Sequence, residues 1–499
     1  MRSLWWLGIT GAVIGIPLAI AENGPLPTSF DEIQTIVVVF QENRSQVHLL
    51  PYFPGATGIA EIPKTALVQR DRDGSVLPYL PPLWITDEVA PDSRHVEPPR
   101  ADPAYPASMP NGPFFLDEQP YNAPADILTP VPVHRFYQNQ MQINGGLNDM
   151  FVAWTNVGSL AMGMYRGEGT HLYRLAREYT LADQFFMGAF GGSNLNHFFL
   201  ACACSPPFPD APDSMRAVLS ENGMLKLADD SPKSALNGPP KWVRDGSVSP
   251  DGYVVNTVQP AYQPSGIPPA RGGDPKMADS TQNPLPPQTL PTLGDRLSEN
   301  GVGWAWYAQG WDVALADRRA IYNTFGAVNF QPHHQPYNYF AKYAPGTEAR
   351  ARHLKDMEEF WKAAKAGTLP PVVFVKPDGK DNQHPGESTM AAGDLIIGTI
   401  INTLQRSPQW DRMAIIITYD ENGGFWDPVA PPTGDRWGPG SRVPMLIVSP
   451  FTKKHFVDHT VYDTTSILAF ISKRFRLELL PGIRTQFGDL RNAFEFGAK

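Results

Sequence analysis

Two stretches of this chain deliver oxygen donors at the end of an apolar run. Ala414, Ile415, Ile416 and Ile417 lead through Thr418 and Tyr419 to Asp420 and Glu421, and Asn422, Gly423 and Gly424 then break the run. Far upstream, Ile36, Val37, Val38, Val39 and Phe40 lead through Gln41 to Glu42, Asn43 and Arg44. β-Branched residues in an unbroken run read as a strand buried on both faces. Carboxylates at the end of such a strand are costly unless a cation or hydrogen bonds hold them. Glu42, Asn43, Asp420 and Glu421 are hard oxygen donors of the kind that suit Mg²⁺, Ca²⁺ or Mn²⁺, and Zn²⁺ also accepts carboxylates. Two such pairs on matching strand ends point to one shared site for a divalent cation. The plainer reading of either pair alone is a capped turn, or an ion pair with Arg44.

Ser193 is the candidate nucleophile. Gly191 and Gly192 precede it and allow a sharp turn. Apolar residues after His197 fit a helix that starts near Ser193, which aims backbone N–H groups and the helix dipole at the hydroxyl. A serine is a weak nucleophile until a base or a metal activates it. The alternative is an ordinary turn and helix cap. His134, His333, His334 and His384 lie in loops, where an imidazole can hold an anion and protonate a leaving oxygen, or can simply be solvated. His197 reads as structural, and His455 and His459 sit near a surface turn. A cation, a serine and proton donors together fit phosphoryl transfer through a phosphoserine.

The elements that must position these residues alternate. Strands are expected over Ile36–Phe40, Gly303–Tyr307, Val372–Val375, Ala414–Thr418 and Pro444–Ser449, and more weakly over Gly252–Val258. Helices are expected over His134–Gln142, Gly169–Tyr179, Thr292–Glu299, Arg350–Ala366, Ala391–Arg406 and Thr464–Phe475. Helices alternating with buried strands imply an α/β fold, a mostly parallel central sheet flanked by helices. The open end of such a sheet, at the strands' carboxyl ends, is where ligands bind. The 52 prolines and 43 glycines fall largely in long connecting segments, which read as Pro/Gly-rich insertions between core elements.

The first 21 residues read as a secretory signal peptide. Arg2 gives the positive end, Trp5 to Ile20 the apolar core, and Ala19-Ile20-Ala21 the small-x-small cleavage site. Residues 22–499 then form a single domain with loop insertions, exported to the periplasm or secreted. A net charge of −9 without a Lys/Arg run argues against nucleic acid as a partner. Cys202 and Cys204, the two cysteines, make no disulfide framework; they are two buried thiols or a local bridge.

The strings IVVVFQENRS, HRFYQNQMQINGG, FGGSNLNH, NFQPHHQPYNYF, HPGES, ITYDENGGFWD and RVPMLIVSPF, in that order, resemble the bacterial phosphoesterase family of acid phosphatases and non-specific phospholipases C. GGSNLNH and HHQPYNYF look closer to the acid phosphatase branch. The resemblance implies an alkaline-phosphatase-like core and one metal ion on Glu42, Asn43, Ser193, Asp420 and Glu421. It implies Ser193 as nucleophile, with His134, His334 and His384 on the phosphate and His333 competing with His334 for that place. Family members commonly read ENRSFDH after the first strand; here Gln46 and Val47 stand in place of the aromatic and the acid. The substrate expected is a phosphate ester, with a phospholipid as the further candidate. From another class comes a non-catalytic secreted binding protein. Acids, a serine and histidines at loop positions that folding does not require to be polar weigh against it.

Overall fold

Thr35–Gln41 is buried at every position, and this strand, β1, sits at the centre of the molecule. The computed structural model describes residues 30–85 and 99–496, so the expected leader over residues 1–21 lies outside them. Seven more strands share the sheet with β1: β2 (Thr180–Ala182), β3 (Trp304–Ala308), β4 (Leu354–Asp356), β5 (Val372–Lys376), β6 (Met413–Tyr419), β7 (Met445–Val448) and β8 (Phe456–Asp458). Their order is β8-β2-β7-β6-β1-β5-β3-β4. All neighbours pair parallel except β7, which runs antiparallel to both β6 and β2.

Register fixes the functional edge. Val39 lies opposite Ile417 on one side and Val375 on the other. The carboxyl ends of β1, β5 and β6 therefore finish side by side. Side chains from Ile415 to Ile417 are fully inaccessible, and each buried aliphatic of this size contributes about 1.5–3 kcal/mol.

Six helices matter for the site and its support: α1 (Phe136–Ile143), α2 (His171–Glu178), α3 (Ser193–Cys202), α4 (Met357–Ala366), α5 (Met390–Gln405) and α6 (Thr464–Phe475). They flank the sheet. α5 packs against α2 and α4, and α3 packs against α6. No helix among the described residues is long and apolar enough to cross a membrane.

Two expectations needed revision. The helix expected over Arg350–Ala366 is cut by β4, because the Asp356 carboxylate accepts from Glu358 N and caps a fresh helix there. Gly252–Val258 forms no named strand; Tyr253 and Val254 make only isolated bridges. The short strands β2 and β8 had no separate signal in the sequence. Cys202 and Cys204 are bridged at the end of α3, so the local disulfide, and not the pair of thiols, is what forms.

Candidate functional site

β1 and β6 leave the sheet together. Asp420 N donates to Gln41 O at 3.0 Å, and Glu42 N donates to Asn382 O at 2.9 Å. Asn43 then turns at φ 64° and gives its N–H to Asp420 Oδ1 at 3.2 Å. The two turns lie against each other so closely that a Cβ on Gly423 would stand 2.2 Å from the Asn43 carbonyl oxygen. Glycine is therefore required there, and Gly423 also sits at φ 63°. Asp420 Oδ1 takes a second N–H from Glu421 at 2.7 Å. Asp420 Oδ2 and Glu421 Oε1 are buried and have no hydrogen-bond donor of normal geometry.

Ser193 arrives from a different part of the fold. Gly191, at φ 88°, passes so close to α1 that a Cβ there would lie 2.3 Å from Phe136 N. Gly192 is the N-cap and Ser193 the first residue of α3. The Ser193 hydroxyl donates to Asn43 Oδ1 at 3.3 Å and favours the ionised form of Asp420. One turn on, His197 Nδ1 lies 2.7 Å from the Ser193 carbonyl. A carbonyl only accepts, so Nδ1 carries the proton and Nε2 is left bare, buried and unpaired.

Glu42 completes the edge. Its Oε1 is 2.7 Å from Lys376 Nζ and also meets His334 Nε2, while its Oε2 accepts from Asn382 at 3.0 Å. Glu42, His197 and His334 present potential ligand atoms all within 4.8 Å of one another. Burial pushes the Asp420 carboxyl up to about 7; the Glu42 charge adds to this, and Lys376 opposes it. Burial, with Asp420 next to it, also holds Glu421 well above the ordinary carboxylate range. Burial works the same way on Glu42, but His334 and Lys376 overcome it and keep that carboxyl well below the usual range. Burial drives the imidazoles toward neutrality: His134 falls to about 3, His334 to about 4, and His197 and His333 are also lowered. With all three carboxyls ionised, the one ammonium leaves two negative charges over, and that excess is the charge of a divalent cation. The two orphaned carboxylate oxygens beside an Asn amide and a serine hydroxyl are donors that such an ion takes. The residues fit a bound metal.

The edge opens on a cleft of about 310 Å³ lined by His134, Ser193, His333, His384, Tyr322 and Glu387, among others. His134 Nδ1 donates to Pro132 O at 2.7 Å, so its Nε2 is an acceptor, 3.3 Å from Asn43 Nδ2. His384 is fixed through Nδ1 on the Pro385 carbonyl at 2.6 Å and stands edge-on to His134, with ring centres 5.4 Å apart. His334 does not line the cleft; it is buried behind it, on Glu42. Of the adjacent histidines, His333 is the one with access to the cleft.

Reading the sequence alone overlooked Lys376, Asn382 and Glu387, and set His197 aside. Lys376 had a signal: it is a charged residue ending the buried run Val372–Val375, the same cue that exposed Glu42 and Asp420. His197 had none, since a histidine inside an apolar helix is usually structural.

A family model described as the phosphoesterase family matches residues 33–478. Phospholipase C B of Mycobacterium tuberculosis is 23% identical over 95% of this chain and 80% of its own length. A non-hemolytic phospholipase C of Pseudomonas aeruginosa is 31% identical, over 26% of this chain and 24% of that protein. Non-specific phospholipase C1 of Arabidopsis thaliana is 26% identical over 41% of this chain and 50% of its own length. Among solved structures, a protein in the alkaline phosphatase superfamily from Vibrio parahaemolyticus is similar at a TM-score of 0.32 and 11% identity, over 75% of this chain and 74% of that one. By the match over residues 33–478, the chain belongs to the phosphoesterase family and is a hydrolase of phosphoric esters.

Proposed function

We propose that this protein is an acid-phosphatase-type monoesterase in which Ser193 attacks phosphorus and one divalent cation is held by Glu42, Asn43, Ser193, Asp420 and Glu421. The observation that carries the reading is the position of the Ser193 hydroxyl. It lies 3.3 Å from Asn43 Oδ1, at an edge where Asp420 Oδ2 and Glu421 Oε1 lack a hydrogen bond, and it lines an open cleft. A divalent cation bound there supplies Lewis-acid polarisation and favours the serine alkoxide.

The chain's own residues do the rest. The start of α3 directs backbone N–H groups and a positive dipole end at the incoming phosphoryl group. His134 and His333 line the same cleft and orient its oxygens. Ser193 Oγ forms the new bond to phosphorus as the ester bond breaks. His384, with Nδ1 fixed on a carbonyl and its other nitrogen left for the cleft, protonates the departing alkoxide. Water then hydrolyses the phosphoserine and restores the hydroxyl. On the reading of residues 1–21 as a leader, the proposal puts this activity in the periplasm or outside the cell.

A cleft of about 310 Å³ with histidines and a carboxylate on its walls suits a compact phosphorylated alcohol. The names of the relatives favour a second reading, phospholipase C activity, in which the alcohol is a diacylglycerol. Hydrolysis of p-nitrophenyl phosphate and of phosphatidylcholine vesicles by one preparation separates them; predominant lipid cleavage overturns the monoesterase reading. Ser193→Ala tests the nucleophile. The expected result is a loss of turnover on the order of 10⁴-fold or more, with inorganic phosphate still bound in a calorimetric titration. Turnover near the wild-type rate removes Ser193 from the reaction.

A further inference from the structure

The donors at the edge fall into two sets, and a single divalent ion uses only one of them. The oxygen set is Asn43, Ser193, Asp420 and Glu421, joined by Glu42. The other set is Glu42, His197 and His334, whose potential ligand atoms lie within 4.8 Å of one another. Carboxylate oxygen with two imidazole nitrogens is a donor combination that Zn²⁺ takes at about 2.0–2.2 Å per bond. Apart from the contact of His334 Nε2 with Glu42 itself, the imidazole atoms facing this set have no partner in the fold. His197 Nε2 and both ring nitrogens of His334 are buried without a hydrogen bond of normal geometry.

Lys376 stands against this second set. It is the last residue of β5, held beside β1 by the register that pairs Val375 with Val39. Its side chain is fully inaccessible, its ammonium is 2.7 Å from Glu42 Oε1, and it lies 5.6 Å from the Phe40 ring. That ring in turn packs edge-on against His197, with centres 5.1 Å apart. An ammonium offers three donors and no lone pair. It cannot join a metal's ligand shell, and on the same carboxylate oxygen it repels a metal ion at short range.

We propose that Glu42, His197 and His334 form a second cation seat whose positive charge this chain supplies itself, through Lys376. The protein then carries one divalent ion beside a built-in ammonium, at an edge whose donors are enough for two ions. The inference rests on the proposed function, because it assigns the first ion to the oxygen set. It also explains why a residue as costly to bury as lysine ends a central strand. With its counter-ion Glu42 on one side and the Phe40 ring on the other, the ammonium is a fixed positive charge buried behind the cleft.

The test uses the full chain, stripped of metal, reloaded with Zn²⁺ and desalted, with zinc per chain measured by elemental analysis. Wild type is expected to hold one ion, Lys376→Met two, and the double variant Lys376→Met with His197→Ala one. A folded Lys376→Met protein with one zinc, or a wild type with two, overturns the proposal. A Lys376→Met chain that does not fold leaves the wild type to decide, through zinc anomalous diffraction from soaked crystals. The expected peak lies among Ser193, Asp420 and Glu421, with none in bonding range of His197 and His334. A peak at the imidazole pair overturns the Lys376 assignment. A missing peak at Asp420 and Glu421 overturns the proposed function instead, whatever lies at the imidazoles.

Discussion

Replacing Asp420 with asparagine should make the metal-free protein more stable and the enzyme inactive. The amide keeps an oxygen to accept the N–H groups of Asn43 and Glu421, at 3.2 and 2.7 Å in the wild type. It removes the charge from an Oδ2 that is buried without a donor. In the wild type, burial lifts the Asp420 carboxyl from 3.8 to about 7. A carboxyl raised on folding binds its proton more tightly in the folded state. Stability is then greatest below the unfolded value, falls as pH rises from about 4 through about 7, and is level above that. The shift corresponds to about 4 kcal/mol when complete, and shared titration with Glu42 and Glu421 makes this an upper figure. In urea unfolding with chelator present, the advantage of Asp420→Asn over wild type should grow by up to about 4 kcal/mol between about pH 4 and pH 8. Mn²⁺ at the higher pH should close most of that gap. The ion binds only the folded wild type with full ligation, and at a hundred times its dissociation constant it adds about 2.7 kcal/mol. A stability difference that does not change with pH, or a wild type indifferent to divalent cations, refutes the picture of a carboxylate cluster waiting for a counter-ion.

Other perturbations address other parts of the edge. Gly423→Ala forces a methyl group to 2.2 Å from the Asn43 carbonyl at a positive φ; a loss of at least about 1–2 kcal/mol of stability is expected from the conformation alone, with reduced metal affinity, and calorimetry checks both. Arg44 is buried, with two donors on the Gln383 carbonyl at 3.0 and 2.6 Å and a third near His48 at 3.0 Å. Lysine cannot reproduce that fork, so Arg44→Lys should cost about 3 kcal/mol in chemical denaturation. His333→Ala should lower kcat/KM by about 10²-fold or more while leaving metal content at the wild-type level. An unchanged kcat/KM would remove His333 from substrate contact.

Much of the scaffold was legible because parallel strands buried on both faces are written as unbroken apolar runs. β1, β5 and β6 are such runs, and two of them end in acids that drew attention. β5 ends in Lys376 instead, a basic residue at the same end of the sheet as those acids. His333 and His334 were not separable for a geometric reason. Pro332–His334 is one 3₁₀ turn, on which successive side chains point about 120° apart. One imidazole therefore meets the cleft and the other Glu42, and no periodicity tells which. The cut at Leu354–Asp356 was hidden because an interior aspartate on a charged helix face looks the same as an N-cap until the sheet edge beside it is known.

The same edge concentrates unmet polar groups that elsewhere in the described residues are scattered, as at Tyr121, Thr129, Arg296 and Ser472. Protein interiors pair their polar groups, yet Glu42, His197, His333, His334, Lys376, Asp420 and Glu421 all leave buried polar atoms without a hydrogen bond of normal geometry. They come from β1, β5, β6, α3 and one 3₁₀ turn, elements scattered over more than three hundred residues. Random imperfections would be spread among those elements instead of meeting where three strand ends coincide. A fold keeps such a concentration of unmet demand where a ligand meets it. The missing partner must be cationic to satisfy the carboxylates, and it must leave Ser193 open to the cleft. A bound divalent ion meets both conditions; a further protein side chain, tied to its own backbone, would fill the space the phosphoryl group needs.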